Sequence, residues 1–238
     1  MKIELLYPEL STLYGDIANI KILSECSENC EIIDTNIGST PRFIQSNDVN
    51  LVYRGTMTEK AQVIMLCELF KYKKEIINSI EAGQHMLFTG NSLELLGSRI
   101  IDSEGETIEC LDIFHHHARR DLLKRYNSLY VGEFNDTKIV GYKSQFTKSY
   151  YDNEYEPLFN TIRGVAFNDE TNAEGIRYKN FMSTYLIGPL LILNPDFTIW
   201  LANEIGIKNP EFPNEKVARE AYDFRLNEYL NPNTGFSY

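Results

Sequence analysis

The 238-residue chain is short of positive charge: 23 lysines and arginines stand against 34 acidic residues, a net charge of −11. A surface of that sign repels a phosphate backbone, and no lysine or arginine run is long enough to form a local basic stripe. Nucleic acid is not an expected partner. Cysteine is scarce too, and Cys26, Cys30, Cys67 and Cys110 are too few and too scattered for a disulfide framework. Cys26 and Cys30 sit one helical turn apart, but a zinc site needs two further ligands at suitable spacing and none follows nearby. Long apolar runs are missing. Nothing approaches the roughly 18 to 20 unbroken apolar residues of a membrane helix, and Pro8 and Glu9 interrupt the opening run before it could act as a secretory signal. A cytoplasmic protein with no membrane span, no metal and no cofactor is expected.

What is present reads as an alternation of strands and helices. Lys2 to Tyr7 forms an apolar strand, and Gly15 to Glu25 places Ile17, Ile20 and Leu23 at helical spacing. Glu31 to Asp34 and Asn50 to Tyr53 are short strands. Thr58 then caps a helix over Glu59 to Glu81 with Val63, Leu66 and Phe70 as its apolar positions. Cys67, inside that helix, is expected to be a small core residue rather than a reactive thiol. His85 to Thr89 is the next strand, and it breaks at Gly90-Asn91-Ser92 into a helical turn. Such alternation predicts a mostly parallel sheet flanked by helices, whose ligands gather at the carboxyl ends of the strands. Arg54-Gly55-Thr56 and Gly90-Asn91-Ser92 both fall at such ends.

Beyond Cys110 the strands shorten, to Ser128–Phe134, Lys138–Tyr142, Thr161–Phe167, Glu174–Asn180 and Ser183–Leu186. Two helices close the chain, Pro195–Ile205 and Glu215–Leu230, the second with Val217, Ala221 and Phe224 on one face. Asn231 to Tyr238 reads as a loose tail. His115, His116 and His117 lie in an extended stretch whose side chains alternate faces, so they are expected as partly exposed imidazoles rather than an ion site.

Several stretches resemble class I glutamine amidotransferases of the cobyric acid synthase type, most closely the glutaminase subunits of lipid II isoglutaminyl synthase. YPELSTLYGDIANI (Tyr7 to Ile20) is similar to their Leu-Tyr-Gly-Asp-x-x-Asn start. NDETNAEGIRYKN (Asn168 to Asn180) and STYLIGPLLILNP (Ser183 to Pro195) resemble their Glu-Gly-x-x-Tyr-Lys-Asn and Gly-Thr-Tyr-Leu-His-Gly-Pro-Leu-Leu runs. The resemblance implies a flavodoxin-like α/β amidotransferase domain over residues 1–206, with extra short strands in its second half. Residues 207–238 would add a helix and tail packed on it.

The same resemblance puts the chemistry in question. The family run Cys-Gly-Gly-Tyr-Gln-Leu-Leu-Gly falls on Gly90 to Gly97, which places Gly90 at the nucleophile. The run around Thr184-Tyr185-Leu186-Ile187 places Ile187 at the base. The family's glycine-rich oxyanion turn corresponds to Arg54-Gly55-Thr56-Met57, and its Glu-Asn-His-Gly-Gly-Arg-Thr segment to Lys143 through Ser149, with Gln145 at the histidine. Hydrolysis of glutamine needs a thiolate and a base, and neither glycine nor isoleucine supplies one. The residues left as candidates for a vestigial pocket are Arg54, Gly55, Thr56, Thr89, Gly90, Asn91, Ser92, Gln145, Tyr185 and Ile187. Three functions follow from the resemblance: a non-hydrolysing scaffold or regulatory subunit of a Mur-ligase-like amide synthetase, a small-molecule binding protein with Arg54 at the carboxylate of its ligand, or an enzyme whose nucleophile has moved to Thr89 or Ser92.

Overall fold

Short apolar runs bounded by turns build the first sheet. β1 (Lys2–Leu6), β2 (Glu31–Thr35), β3 (Leu51–Arg54), β4 (Met86–Thr89) and β14 (Phe181–Thr184) run parallel in the order β14-β4-β3-β1-β2, with β13 (Ile176–Tyr178) antiparallel on the β14 edge. The computed structural model describes residues 1–11, 13–151 and 155–236. β3, β4 and β14 are buried along their whole length, as parallel strands covered on both faces must be. Val52 and Phe88 face one layer, with α3 (Glu59–Leu69) and α4 (Lys73–Glu81). Leu51, Tyr53 and Leu87 face the other, with α1 (Ile17–Glu25), α5 (Leu190–Leu193) and α6 (Pro195–Glu204). α2 (Arg42–Gln45) is a single turn after β2.

The second half adds two small sheets. β5 (Arg99–Ile101), β6 (Thr107–Glu109), β7 (His116–Arg120) and β10 (Thr147–Tyr151) make one, in the order β10-β7-β5-β6. β8 (Tyr126–Phe134), β9 (Thr137–Gln145), β11 (Phe159–Arg163) and β12 (Ala173–Glu174) make the other. The architecture is the mixed α/β one expected, with a parallel sheet, flanking helices and extra antiparallel strands.

Several expectations are corrected. The long helix is two: Thr58 caps α3 by accepting a hydrogen bond from the Ala61 amide, but a 3-10 turn at Phe70–Tyr72 intervenes, and Tyr72 leaves helical backbone at φ −122° before α4 begins. The buried stripe of α3 is Ala61, Gln62, Met65, Leu66 and Leu69, so Val63, Phe70 and Cys67 face outward. Apolar residues occur on every side of this helix, and spacing alone does not reveal the inner side. Glu174 to Asn180 is not one strand, because Gly175 at φ +74° breaks it between β12 and β13.

The last helix, α7 (Glu215–Leu230), packs through Ala218, Tyr222 and Leu226, leaving Val217 and Phe224 66% and 75% exposed. Tyr222 donates to the Lys138 carbonyl and Arg219 pairs with Asp196, which holds the helix on β9 and α6. The segment after α7 is fixed rather than loose: the Phe236 carbonyl accepts from the Leu129 amide, and Arg163 donates to the carbonyls of Tyr229, Asn231 and Thr234. Ser237 and Tyr238 lie outside the described residues.

Of the three consecutive histidines, His115 is exposed and His117 half-buried, whereas His116 is 2% exposed against Phe167. Burial pushes its imidazole down to about 4, so the folded protein holds it neutral. The unfolded chain takes up a proton near pH 6.5, so stability falls as pH drops from about 6.5 to about 4 and levels off below. The loss over that window is on the order of 3 kcal/mol for this group. Denaturant titrations across the window should show a shallower pH slope for His116→Gln than for wild type, and equal slopes would refute the assignment.

Candidate functional site

The crevice forms where β1, β3 and β4 end. Turning from β4 into a 3-10 turn over Gly90–Leu96 requires a left-handed residue, and Gly90 lies at φ +62°. Glycine reaches that region without a Cβ clash. Space is the second constraint. A Cβ on Gly90 would lie 2.1 Å from Thr56 Oγ1 and 2.8 Å from Thr56 Cβ. The Thr56 side chain therefore fills the volume from which a residue at the end of β4 would present a nucleophile.

Thr56 is held there from both sides. Its amide donates to Asp16 Oδ2 at 2.5 Å, and Asp16 is fully buried, so that desolvation raises its carboxyl above the usual range. Gly55 lets Asp16 approach: a Cβ on it would stand 3.0 Å from Asp16 Cβ. The Met57 amide donates to Asn91 Oδ1 at 3.0 Å, and Asn91 Nδ2 donates back to the Met57 carbonyl at 2.9 Å. Two backbone amides of the turn after β3 are thus consumed by the protein's own side chains. An oxyanion hole needs such donors free and aimed at the developing charge.

Arg54 turns away from the crevice. It is completely buried, and its guanidinium donates to the Leu6 and Tyr7 carbonyls at 2.9 and 3.0 Å, sewing β3 to the end of β1. Burial pulls it down to about 9. It is neither a surface arginine nor positioned to meet a ligand carboxylate. Thr89 is equally internal, its hydroxyl 2.9 Å from Tyr53 Oη, which in turn accepts from Asn19 at 2.9 Å. The Ser92 hydroxyl donates to the Thr89 carbonyl at 2.7 Å. Neither Thr89 nor Ser92 lines the pocket, and Gly55 does not either.

The pocket has a volume of about 140 Å³, and Thr56, Gly90, Asn91, Gln145, Tyr185 and Ile187 all line it. Six of the ten candidates therefore converge. Gln145 Nε2 donates to the Thr147 carbonyl at 2.6 Å, while Gln145 Oε1 and Thr56 Oγ1 are buried without partners. Ile187 is buried, and its amide donates to the Tyr142 carbonyl at 2.9 Å. Arg125 stands at the mouth, 4.4 Å above the Phe146 ring.

Glu94 also lines this pocket, beside Tyr185, and belongs to a buried polar cluster whose members other than Tyr185 the sequence reading missed. Glu94, fully buried, takes the glutamine position of the family run. It accepts from Gln62 at 2.9 Å, from Arg120 at 3.0 Å and from Tyr185 Oη at 3.1 Å, and Tyr185 Oη also meets Ser149 Oγ at 2.7 Å. A charge inside the apolar run LELL was the available signal. Next to it the buried Lys143 pairs with Glu174, which also accepts from Thr184 Oγ1 and the Tyr185 amide, both at 2.7 Å. Burial lowers the Lys143 ammonium from its ordinary range, with Glu174 opposing.

Sequence comparison accounts for this framework. Residues 2–194 match the CobB/CobQ-like glutamine amidotransferase domain, and the chain belongs to that family. It is 28% identical over 191 residues to the lipid II isoglutaminyl synthase (glutamine-hydrolyzing) subunit GatD of Staphylococcus aureus, covering 79% of this chain and 77% of the relative. The corresponding subunit of Streptococcus pneumoniae is 26% identical over 196 residues, covering 79% and 74%. Among solved structures, PurLQS from Thermotoga maritima superposes with a TM-score of 0.56 at 12% identity over 94% of this chain and 98% of that one. A crystal structure of a glutamine amidotransferase gives 0.54 at 12% identity, covering 85% and 98%. These last two establish the fold alone.

The contact between positions 56 and 90 is testable by a double-mutant cycle. Gly90→Ala should destabilise by about 2 to 4 kcal/mol, the sum of about 1 for the left-handed backbone and about 1 to 3 for overpacking. In a Thr56→Gly background the overpacking part should vanish, giving a coupling of about 1 to 3 kcal/mol. Additive effects in urea titrations would show that Thr56 does not occupy that space.

Proposed function

We propose that this amidotransferase-family chain does not hydrolyse glutamine and serves as a scaffold or regulatory subunit of a Mur-ligase-like amide synthetase. One observation carries the first half: the Thr56 side chain occupies the space of a nucleophile at position 90, and Asp16 and Asn91 occupy the Thr56 and Met57 amides. A missing thiol alone could be a local lesion. A filled seat and engaged oxyanion donors describe a pocket rebuilt around the absence. Ile187 at the base position adds nothing that titrates, and when nucleophile and base act as one unit the loss of either removes nearly all of the rate.

Support for the second half comes from the two relatives, each of which is by name a subunit of an amide-forming synthase. A non-hydrolysing subunit would keep the docking surface while the synthetase draws its nitrogen from free ammonia. A second reading, a small-molecule binding protein using the same crevice, is favoured by Gln145 Oε1 and Thr56 Oγ1, two buried acceptors facing a pocket with no protein partner. A nucleophile moved to Thr89 or Ser92 is the weakest reading, because both hydroxyls are buried and engaged in the scaffold.

Ammonia release from glutamine should be absent for wild type and remain far below that of an intact family member for Gly90→Cys with Ile187→His. The physical reason is that the new thiol would collide with Thr56 and find the oxyanion donors engaged. Turnover approaching an intact relative in that double variant would refute the reading. Affinity purification with a Mur-ligase-like synthetase from the same organism should yield a stable complex, and its absence at micromolar concentration would count against the subunit role.

A further inference from the structure

The outer face of the second sheet collects cations in a chain that is acidic overall. β7 and β10 are antiparallel, and their register sets Arg119 directly opposite Lys148 and His117 opposite Tyr150. Residues opposed in this way project from the same face, and like charges in that position destabilise the pair. Lys148, with a side chain 11% exposed, is paired with Asp169, whose side chain is 77% exposed. Arg119 is exposed and has no carboxylate partner among the described residues; its guanidinium lies 5.3 Å from the centre of the Tyr150 ring. Lys148 and Lys124 stand 4.4 and 5.1 Å from the Tyr126 ring.

Between the two tyrosines is a cleft of about 410 Å³, separate from the pocket at Gly90. Asp102 and Asp121 border it and keep their charge, although each has one oxygen turned to its own loop: Asp102 Oδ1 accepts from the Glu104 and Glu106 amides at 2.9 Å, and Asp121 Oδ1 from the Leu123 amide at 3.0 Å. Arg120 backs the cleft. Its guanidinium is committed to Glu94 and Gln62, and its Nε is buried without a partner. Arg119 without a carboxylate partner, Lys148 opposite it with only the exposed Asp169 as partner, and the unpaired Arg120 Nε behind them offer donors to an anion, and the flanking rings make a place for an organic body.

We propose that this cleft binds a phosphate monoester, with Arg119 and Lys148 on the phosphate and Tyr126 and Tyr150 flanking the ester group. A monocarboxylate would satisfy one cation. A phosphate monoester carries about −1.5 to −2 charge at pH 7 and three acceptor oxygens, enough for the arginine fork and the lysine together. The site stands apart from the reading of the Gly90 pocket and does not depend on it.

Isothermal titration at constant ionic strength with phenyl phosphate, inorganic phosphate and benzoate tests the assignment. Phenyl phosphate should give a single-site isotherm at least about tenfold tighter than either of the others. Arg119→Gln and Lys148→Gln should each weaken it roughly tenfold or more, as loss of a charge-assisted contact predicts. Arg99→Gln, on the adjoining strand of the same sheet but outside the cleft, should leave it unchanged. Thermal melts of the variants establish that they are folded. Absence of phenyl phosphate binding at millimolar concentration, wild-type affinity in both the Arg119 and Lys148 variants, or an equal loss in Arg99→Gln would overturn the proposal. Equal affinity for inorganic phosphate would overturn the monoester assignment.

Discussion

The crevice depends on one steric fact, that two side chains cannot occupy the end of β4 at once. Gly90 yields the space and Thr56 takes it. Once Thr56 sits there, its amide is drawn to Asp16, Gly55 must remain without a side chain to admit Asp16, and Asn91 closes over Met57 from the other side. Each of these contacts makes the next one necessary. An ordinary side chain at this positive φ would cost backbone strain, and glycine makes the turn without it.

Burial of charge follows the same logic. Glu94 is a fully buried carboxylate, and an unpaired one in that position would be costly. Arg120 and Gln62 neutralise and hydrogen-bond it, and Tyr185 completes the set. Removing one member of such a buried pair strands the other, at a cost of about 3 to 5 kcal/mol. Lys143 and Glu174 repeat the arrangement a strand away. Glu94 and Tyr185 carry this polar cluster to the wall of the pocket.

Much of this was legible in the sequence, and the failures have physical causes. The inner strands β3, β4 and β14 announced themselves because they are buried on both faces and read as short, largely apolar runs, whereas β2 lies exposed at the edge. Gly90 and Ile187 are set at the nucleophile and base positions by resemblance alone, through flanking segments such as Thr184-Tyr185-Leu186 that follow the family pattern. Arg54 misled: a polar residue at a strand's carboxyl end suggests a ligand, yet the same position lets a long side chain reach the carbonyls ending the neighbouring strand. β5, β6, β7 and β10 went unread because they are only three to five residues long and rich in charged residues and histidine. The inner faces of α3 and α7 were misjudged because tertiary partners choose among several apolar stripes, and Gln62 was drawn inside by Glu94 and Arg120, far away in sequence. Contacts such as Thr56 against Gly90 leave no local trace at all.

The central proposal is that none of the described residues is poised to attack a glutamine side chain. Incubation of the native protein with an electrophilic glutamine analogue, followed by intact-mass and peptide mass spectrometry, tests it most directly. The account predicts an unmodified chain after prolonged exposure. A stoichiometric adduct on Thr89, Ser92 or any of the four cysteines would contradict it.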